Sequence, residues 1–509
     1  MGACRGGDAS PARRTLIDSR GTYDPRSLDP AHANDIPSGR LIALLFDGLT
    51  RFATDATLQP GLAERWDLSP DGRTYTFHLR RHVTFQNDSP FVARQVVHSF
   101  TRALAPDTHG VPLWPLLPIA GAKEFAAGTA PSVSGLAAPD DSTVVITLVE
   151  PLAIFPKLLA MPVTHIVPDS VPADFSEHPV GTGPWQFAEW KHDDYVRLAR
   201  NPHYFGGPPK AESLEVRIIP EPSAAVAEFE SGSVDLLYVP ENETQSWTQT
   251  DDKKALLQSV PSLRLWYAAF NVSRGALADA RVRQAINYAV DRHTILDRLL
   301  GNRGTLASGV VPPSLAGADT TRRPYPYDPA RAKQLLTQAG HAHDLSFELW
   351  TSPDQPFPQI AEAIQGYLAP VGIKITIVRR DYASLRDAAR NGKADIVLKD
   401  WYADYPDAEN FLYPLLFSGN AGQGGNVSFY RNPAYDRLIT AARAERDDGA
   451  RATLYRQADE LEFRDAPMLF LLFYNDLYAV QPWLKGFVAP VIFTGQRWTD
   501  VEISHTTPH

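Results

Sequence analysis

Residues 399–412 read KDWYADYPDAENFL and set four carboxylates (Asp400, Asp404, Asp407, Glu409) among the aromatics Trp401, Tyr402, Tyr405 and Phe411. Aromatic side chains favour burial, whereas carboxylates resist it unless they are paired. Such a mixture suits a metal site, a catalytic carboxylate pair, the start of a helix, or a pocket for a cationic ligand. Other candidate chemistry is thin. His341-Ala342-His343-Asp344 offers two histidines two residues apart in a Gly-flanked loop. Zinc sites need further ligands at set spacing, so a solvated loop is the better reading. GTGPW (181–185) lacks the G-x-G-x-x-G spacing of a dinucleotide fingerprint and reads as a tight turn entering the strand pattern WQFAEW. There is no GxxxxGK[ST] phosphate loop, no GxSxG nucleophile elbow and no HExxH.

The elements that must position the acidic stretch can be read from periodicity. LSFELW (345–350) and IKITIV (373–378) read as strands, FPQIAEAIQGYL (357–368) and YASLRDAAR (382–390) as helices, and ADIVL (394–398) as a strand, giving βαβαβ and a parallel sheet. Residues 399–404 then fall just past the carboxyl end of a strand, where open α/β sheets bind ligands. A related pattern occurs earlier: strand 214–219, helix 223–231 and strand 234–239. SGSVDLL (231–237) matches NGKADIV (391–397), each with Gly stopping a helix and Asp opening a strand. Two α/β lobes of related construction follow. LRLWYAAFN (263–271) and MLFLLFYNDLYAV (468–480) are apolar runs too short to span a membrane and read as buried strands linking the lobes as a hinge. Residues 73–85 alternate as a strand, 90–104 place Val92, Val96, Phe100 and Ala103 on one helical face, and 142–149 read as a strand. The periodicity of 279–300 predicts one amphipathic helix capped by Asp279, with Val282, Ile286, Ala289, His293 and Leu296 on its buried face.

At 509 residues the chain is too long for a single core. Its net charge of −10 leaves no basic field for nucleic acid or anionic lipid. Cys4 is the one cysteine, so no intrachain disulfide can form. Met1-Gly2-Ala3-Cys4 resembles the end of a bacterial lipoprotein signal, without the apolar region that precedes such a cysteine, and opens a polar tail to about Arg13. A free, exposed thiol is the alternative.

Several blocks in order carry a family resemblance: SLDPAH (27–32), LLFDGLTRF (44–52), LQPGLAERWDLSPDGRTYTFHLRRHVTF (58–85), PVGTGPWQFAEW (179–190), RNPHYFGG (200–207), FNVSRGALADARVRQAINYAVDRHTIL (270–296) and DWYADYPDAENFL (400–412). From about Thr15 to Val501 the chain resembles the extracytoplasmic solute-binding proteins of peptide ABC transporters, the dipeptide- and oligopeptide-binding type. The resemblance implies an α/β, bilobal periplasmic-binding-protein (Venus-flytrap) fold of the cluster C type, with an extra subdomain in the N-terminal lobe. The expected division is a tail at 1–13, a first lobe of 14–56, 180–267 and 484–509, a subdomain at 57–179, and a second lobe at 268–483. It implies no enzyme activity and no cofactor, a short peptide as ligand, permease subunits as partners, a monomer, and a periplasmic or lipid-anchored location through Cys4.

In relatives the aspartate of a W-x-A-D-Y motif salt-bridges the peptide's α-amino group. Trp401-Tyr402-Ala403-Asp404-Tyr405 matches, so the resemblance gives that role to Asp404. The backbone of 400–402 is expected to pair with the peptide main chain, with Trp401 and Tyr402 walling side-chain pockets. Asp407 and Glu409 read as a helix start. Asp400, where many relatives have a small residue, either pairs with Lys399 or favours cationic peptide side chains, and the bulk of Tyr402 shrinks a pocket. Tyr382, Asp24 and Trp114 are further cleft candidates; Arg379, Arg380, Arg386 and Arg390 are candidates for the peptide's carboxylate. Two competing readings are the same fold with a nickel chelate, opine or sugar as ligand, and a peptide hydrolase using carboxylates in 400–409.

Overall fold

The computed structural model describes residues 15–21, 23–108, 113–341, 345–422 and 424–504. Cys4, His343 and Asp344 lie outside them. One sheet runs through both lobes. Its strands, in spatial order, are Ile373–Arg379, Leu345–Thr351, Ile396–Tyr402, Leu257–Phe270, Met468–Val480, Leu236–Tyr238, Thr15–Gly21, Ser213–Ile218, Tyr195–Arg200 and Trp185–Lys191, with Gly304–Leu306 also paired to Met468–Val480. The two long apolar strands sit at the centre, antiparallel to each other. Leu257–Phe270 pairs with the second lobe through Ile396–Tyr402, and Met468–Val480 with the first through Leu236–Tyr238. The sheet thus makes both crossings between lobes, and the fold is bilobal.

The two ends are built alike. In the first lobe Thr15–Gly21 lies between the parallel strands Ser213–Ile218 and Leu236–Tyr238; in the second Leu345–Thr351 lies between Ile373–Arg379 and Ile396–Tyr402. Both matched junctions turn at a glycine of positive φ, Gly232 (77°) and Gly392 (63°), a conformation that costs other residues energy. The aspartate that follows then ties its strand to the middle one. Asp235 Oδ2 accepts from Ile17 N at 2.8 Å, and Asp395 Oδ2 from Glu348 N at 2.9 Å.

A separate antiparallel sheet, in the order Ala63–Leu68, Thr74–Leu79, Thr143–Thr147, Leu136–Asp140, is backed by the helix Ala93–Ala103. Phe77, Phe100 and Phe155 fill its core, and Tyr405 of the second lobe packs into the same core. GTGPW is a tight turn: a Cβ on Gly183 would lie 2.4 Å from the Leu44 carbonyl oxygen.

The single helix expected over 279–300 is two, Ala280–Ala289 and Arg292–Leu300. Val290 is extended, and Asp291 starts a new helix by accepting from Thr294 N at 3.1 Å. The break resets the helical phase, so His293 is exposed and not on the buried face. An aspartate that can cap competes with helix continuation. Asp291→Ala is expected to lower stability by about 1 kcal/mol, read as a fall in thermal midpoint.

Candidate functional site

The strand Ile396–Tyr402 runs four residues past the point where the periodicity ended it. Along one edge it pairs with Leu257–Phe270, from Ile396↔Phe270 to Arg264↔Tyr402, and Ala403 N continues to Leu263 O at 2.8 Å. Along the other edge it pairs with Leu345–Thr351 only at Leu349↔Ile396 and Trp350↔Val397. Beyond Val397 no strand among the described residues covers that edge. The main chain of 399–402 therefore presents strand hydrogen-bonding groups to the space between the lobes, a template for an added strand.

Asp404 stands at the end of this edge. Protein surrounds its carboxyl, which keeps a path to solvent, and among the described residues no lysine or arginine pairs with it. Burial pushes its pKa up to about 6, against a smaller downward pull from the Asn410 side chain. Asn410, on the first turn of the helix Glu409–Leu416, positions the loop: its Oδ1 accepts from Asp404 N at 2.9 Å and from Trp401 Nε1 at 3.4 Å. Sequence reading missed Asn410; a buried amide one residue after a first-turn acid carries no periodic signal.

The other carboxylates of the stretch are engaged. Asp400 pairs with Arg264, whose Nε donates to Oδ2 at 2.7 Å, and not with Lys399. Strand alternation explains this correction: Asp400 and Lys399 point to opposite faces of the sheet, and Arg264 lies diagonally across on the Asp400 face. Lys399 instead lies 5.9 Å from the centre of the Trp401 ring, and burial lowers its pKa. Asp407 does accept from Glu409 N at 2.9 Å at the helix start, but its Oδ2 also takes the Lys157 ammonium at 2.6 Å, from the other side of the cleft. Glu409 is fully buried, bonded to the Tyr405 hydroxyl and 3.2 Å from Arg443 Nε.

Tyr402 faces the first lobe, its ring 6.4 Å from that of Phe493. Phe493 lines a recess of ≈490 Å3 whose wall includes Tyr23, Arg40, Leu41, Val196 and Gln496. Trp114 reaches the stretch from the small sheet's subdomain, with its ring 5.6 Å from Tyr405. Asp24 sits apart from Asp404, its carboxylate taken by Trp190 Nε1 at 2.9 Å and His192 Nδ1 at 2.7 Å; its neighbour Tyr23 is the residue on the recess. Tyr382 opens the helix Tyr382–Arg390 and is 63% exposed, with Arg386 6.0 Å from its ring. Of the four arginines, Arg379 pairs with Glu362 at 2.6 Å and Arg380 lies over Trp350. Arg386 and Arg390 both bear on Lys399 and add to burial in lowering its pKa, against the upward pull of Asp400, so cationic side chains gather at this end of the open edge.

The lobes touch around this site. Besides Lys157–Asp407 and Trp114–Tyr405, Ala153 N donates to Arg443 O at 3.0 Å and Arg446 Nη1 to Pro70 O at 3.2 Å. The arrangement has a linear edge for main chain, a half-buried carboxylate with no cation partner among the described residues at one end, and cationic side chains at the other. It has the parts of a binding cleft.

Comparison with known proteins agrees with this architecture. The model of the bacterial extracellular solute-binding proteins, family 5, matches residues 57–423. The heme-binding protein A of Haemophilus influenzae is 31% identical over 87% of this chain and 84% of its own. The dipeptide-binding protein of Escherichia coli is 30% identical over 95% of this chain and 91% of its own. Among solved structures, the periplasmic binding protein DppA from Helicobacter pylori in complex with the peptide STSA has a TM-score of 0.78 and 26% identity, covering 96% of this chain and 98% of that one. The chain belongs to the bacterial extracellular solute-binding proteins of family 5.

Proposed function

We propose that the protein captures short peptides between its lobes and delivers them to an ABC importer. The observation that carries this reading is the uncovered strand edge of 399–402 ending on Asp404. A peptide laid along that edge gains main-chain hydrogen bonds independent of its sequence, and its terminal ammonium meets a carboxylate that has no other cation. Trp401 and Tyr402 flank the path of its side chains. Relatives named for dipeptides, for di- and tripeptides and for glutathione support the ligand class. In this reading residues 14–56, 180–267 and 484–509 form the first lobe, 57–179 its subdomain and 268–483 the second lobe. The protein acts as a monomer, without catalysis, outside the cytoplasm, and the small residues before Cys4 support a lipid anchor there.

The test is native mass spectrometry of freshly purified protein, followed by calorimetry with the peptides found. A ladder of peptide masses supports the reading. A single non-peptide mass overturns it; a relative named for heme makes that outcome concrete.

A pH dependence follows from Asp404. Burial pushes its carboxyl up to about 6 in the unliganded protein. A bound ammonium pulls that pKa down, so binding selects the ionised form, and affinity is full above pH 6 and lost as pH falls through it. The peptide's amino group stays protonated over this range. Calorimetric Kd is expected to rise about tenfold between pH 7 and pH 5.

A further inference from the structure

A second cavity, of ≈240 Å3, shares no lining residue with the recess beside Tyr402; its polar wall is Asp47, Arg51, His165, Thr494 and Arg497. Asp47 follows the helix Ile36–Leu45, Arg51 is on the strand Thr50–Phe52, His165 lies where the chain returns from the subdomain, and Thr494 and Arg497 belong to the C-terminal segment. Three stretches distant in sequence meet here, and the charge they bring does not balance. Asp47 is fully used: it accepts from Arg497 Nη1 at 2.5 Å, Thr182 Oγ1 at 3.0 Å and the Tyr204 hydroxyl at 3.3 Å. Arg497 spends Nη1 on Asp47 and Tyr204 and Nη2 on the Phe46 carbonyl, leaving Nε buried without a partner. Arg51 is half-buried and, among the described residues, its side chain makes no hydrogen bond or ion pair, while its main chain belongs to the strand paired with Leu58–Pro60. Burial lowers its pKa first, and the positive charge of Arg497 lowers it further, against a smaller upward pull from Tyr204 and Asp47. His165 is buried with Nδ1 unpartnered. Burial takes its pKa down to about 4, so it is neutral.

Two guanidinium groups against one engaged carboxylate leave one positive charge at a small, partly open cavity, beside two unpartnered buried nitrogens. Buried polar groups without partners cost free energy, and a partly buried like-charge pair adds to it. Water can satisfy the donors but not the charge. We infer that this cavity binds a small inorganic anion of halide size between Arg51 and Arg497. The carboxylate of Asp47 opposes polyanions. Held there, the ion ties the C-terminal segment to the joint of lobe and subdomain and takes no part in the cleft.

Chloride and bromide are the probes. Crystals of the full chain grown in bromide, with data at the bromine edge, should show an anomalous peak within hydrogen-bond reach of both guanidinium groups. Water density alone in the cavity overturns the proposal. In solution, replacing gluconate by chloride at constant ionic strength should raise the thermal midpoint with the logarithm of chloride once above Kd, by about 1–2 °C at ten times Kd. Arg51→Gln should flatten that response and Arg51→Lys retain part of it, with peptide affinity unchanged in both. A chloride response identical in wild type and Arg51→Gln also overturns it.

Discussion

Asp404→Asn should weaken binding of a short peptide with a free N-terminus by about 2–5 kcal/mol, roughly 30- to 5,000-fold, because a desolvated ammonium then lacks its counter-charge. Acetylating the peptide's N-terminus should cost wild type a similar amount, and the two losses should not add, since each removes one half of the same pair. The unliganded protein should respond oppositely. Burial raises the Asp404 pKa to about 6, above the ordinary carboxylate range. Such a group favours the folded state only as pH falls through about 6; at neutral pH the ionised form destabilises it. Asparagine removes that penalty, so the thermal midpoint of the empty protein should hold or rise while affinity collapses. Calorimetry and a melting curve on one variant check both halves. Equal affinity for free and acetylated peptide would sink the role of Asp404.

Local periodicity carried much of the fold. The helix Phe357–Leu368 and the strand Met468–Val480 begin and end where the pattern set them, because each has a long apolar face or run. Leu257–Phe270 starts six residues earlier than its apolar run, since Gln258 and Ser259 are polar yet pair with Tyr478 and Leu477. Pairing across the sheet, not composition, extends that strand. The site was legible as a stretch but not as a set of partners. Asp400–Arg264 spans 136 residues and Lys157–Asp407 spans 250. A charge pattern within a window cannot specify which distant cation arrives. The helix break at Val290–Asp291 was hidden for a different reason: apolar spacing holds on both sides of it, and one capping side chain decides.

The pairs that sequence could not supply are the ones that close the cleft. Lys157→Ala should weaken every ligand equally, by about 2–3 kcal/mol, free and acetylated peptides alike. Lys157 Nζ lies 2.6 Å from Asp407 Oδ2 and 3.0 Å from the Pro406 carbonyl oxygen, and Asp407 is only 6% exposed. Without Lys157 that carboxylate is buried without its ion pair and keeps only the Glu409 N–H and the charge of Arg451, a penalty of up to about 3–5 kcal/mol where no relief is available. Here relief is available, because parting the lobes returns Asp407 to water. The cost therefore falls on the closed arrangement and not on folding, and affinity drops by the fraction of closed protein lost. Small-angle scattering should show a larger radius of gyration for the empty variant, contracting again when peptide saturates it. Lys157→Arg keeps the charge and should recover most of the affinity. A loss confined to peptides with a free N-terminus would place Lys157 in ligand recognition and remove it from closure. The contrast with Asp404 separates two steps of capture: one carboxylate reads the ligand, and the other, three residues on, holds the lobes together around it.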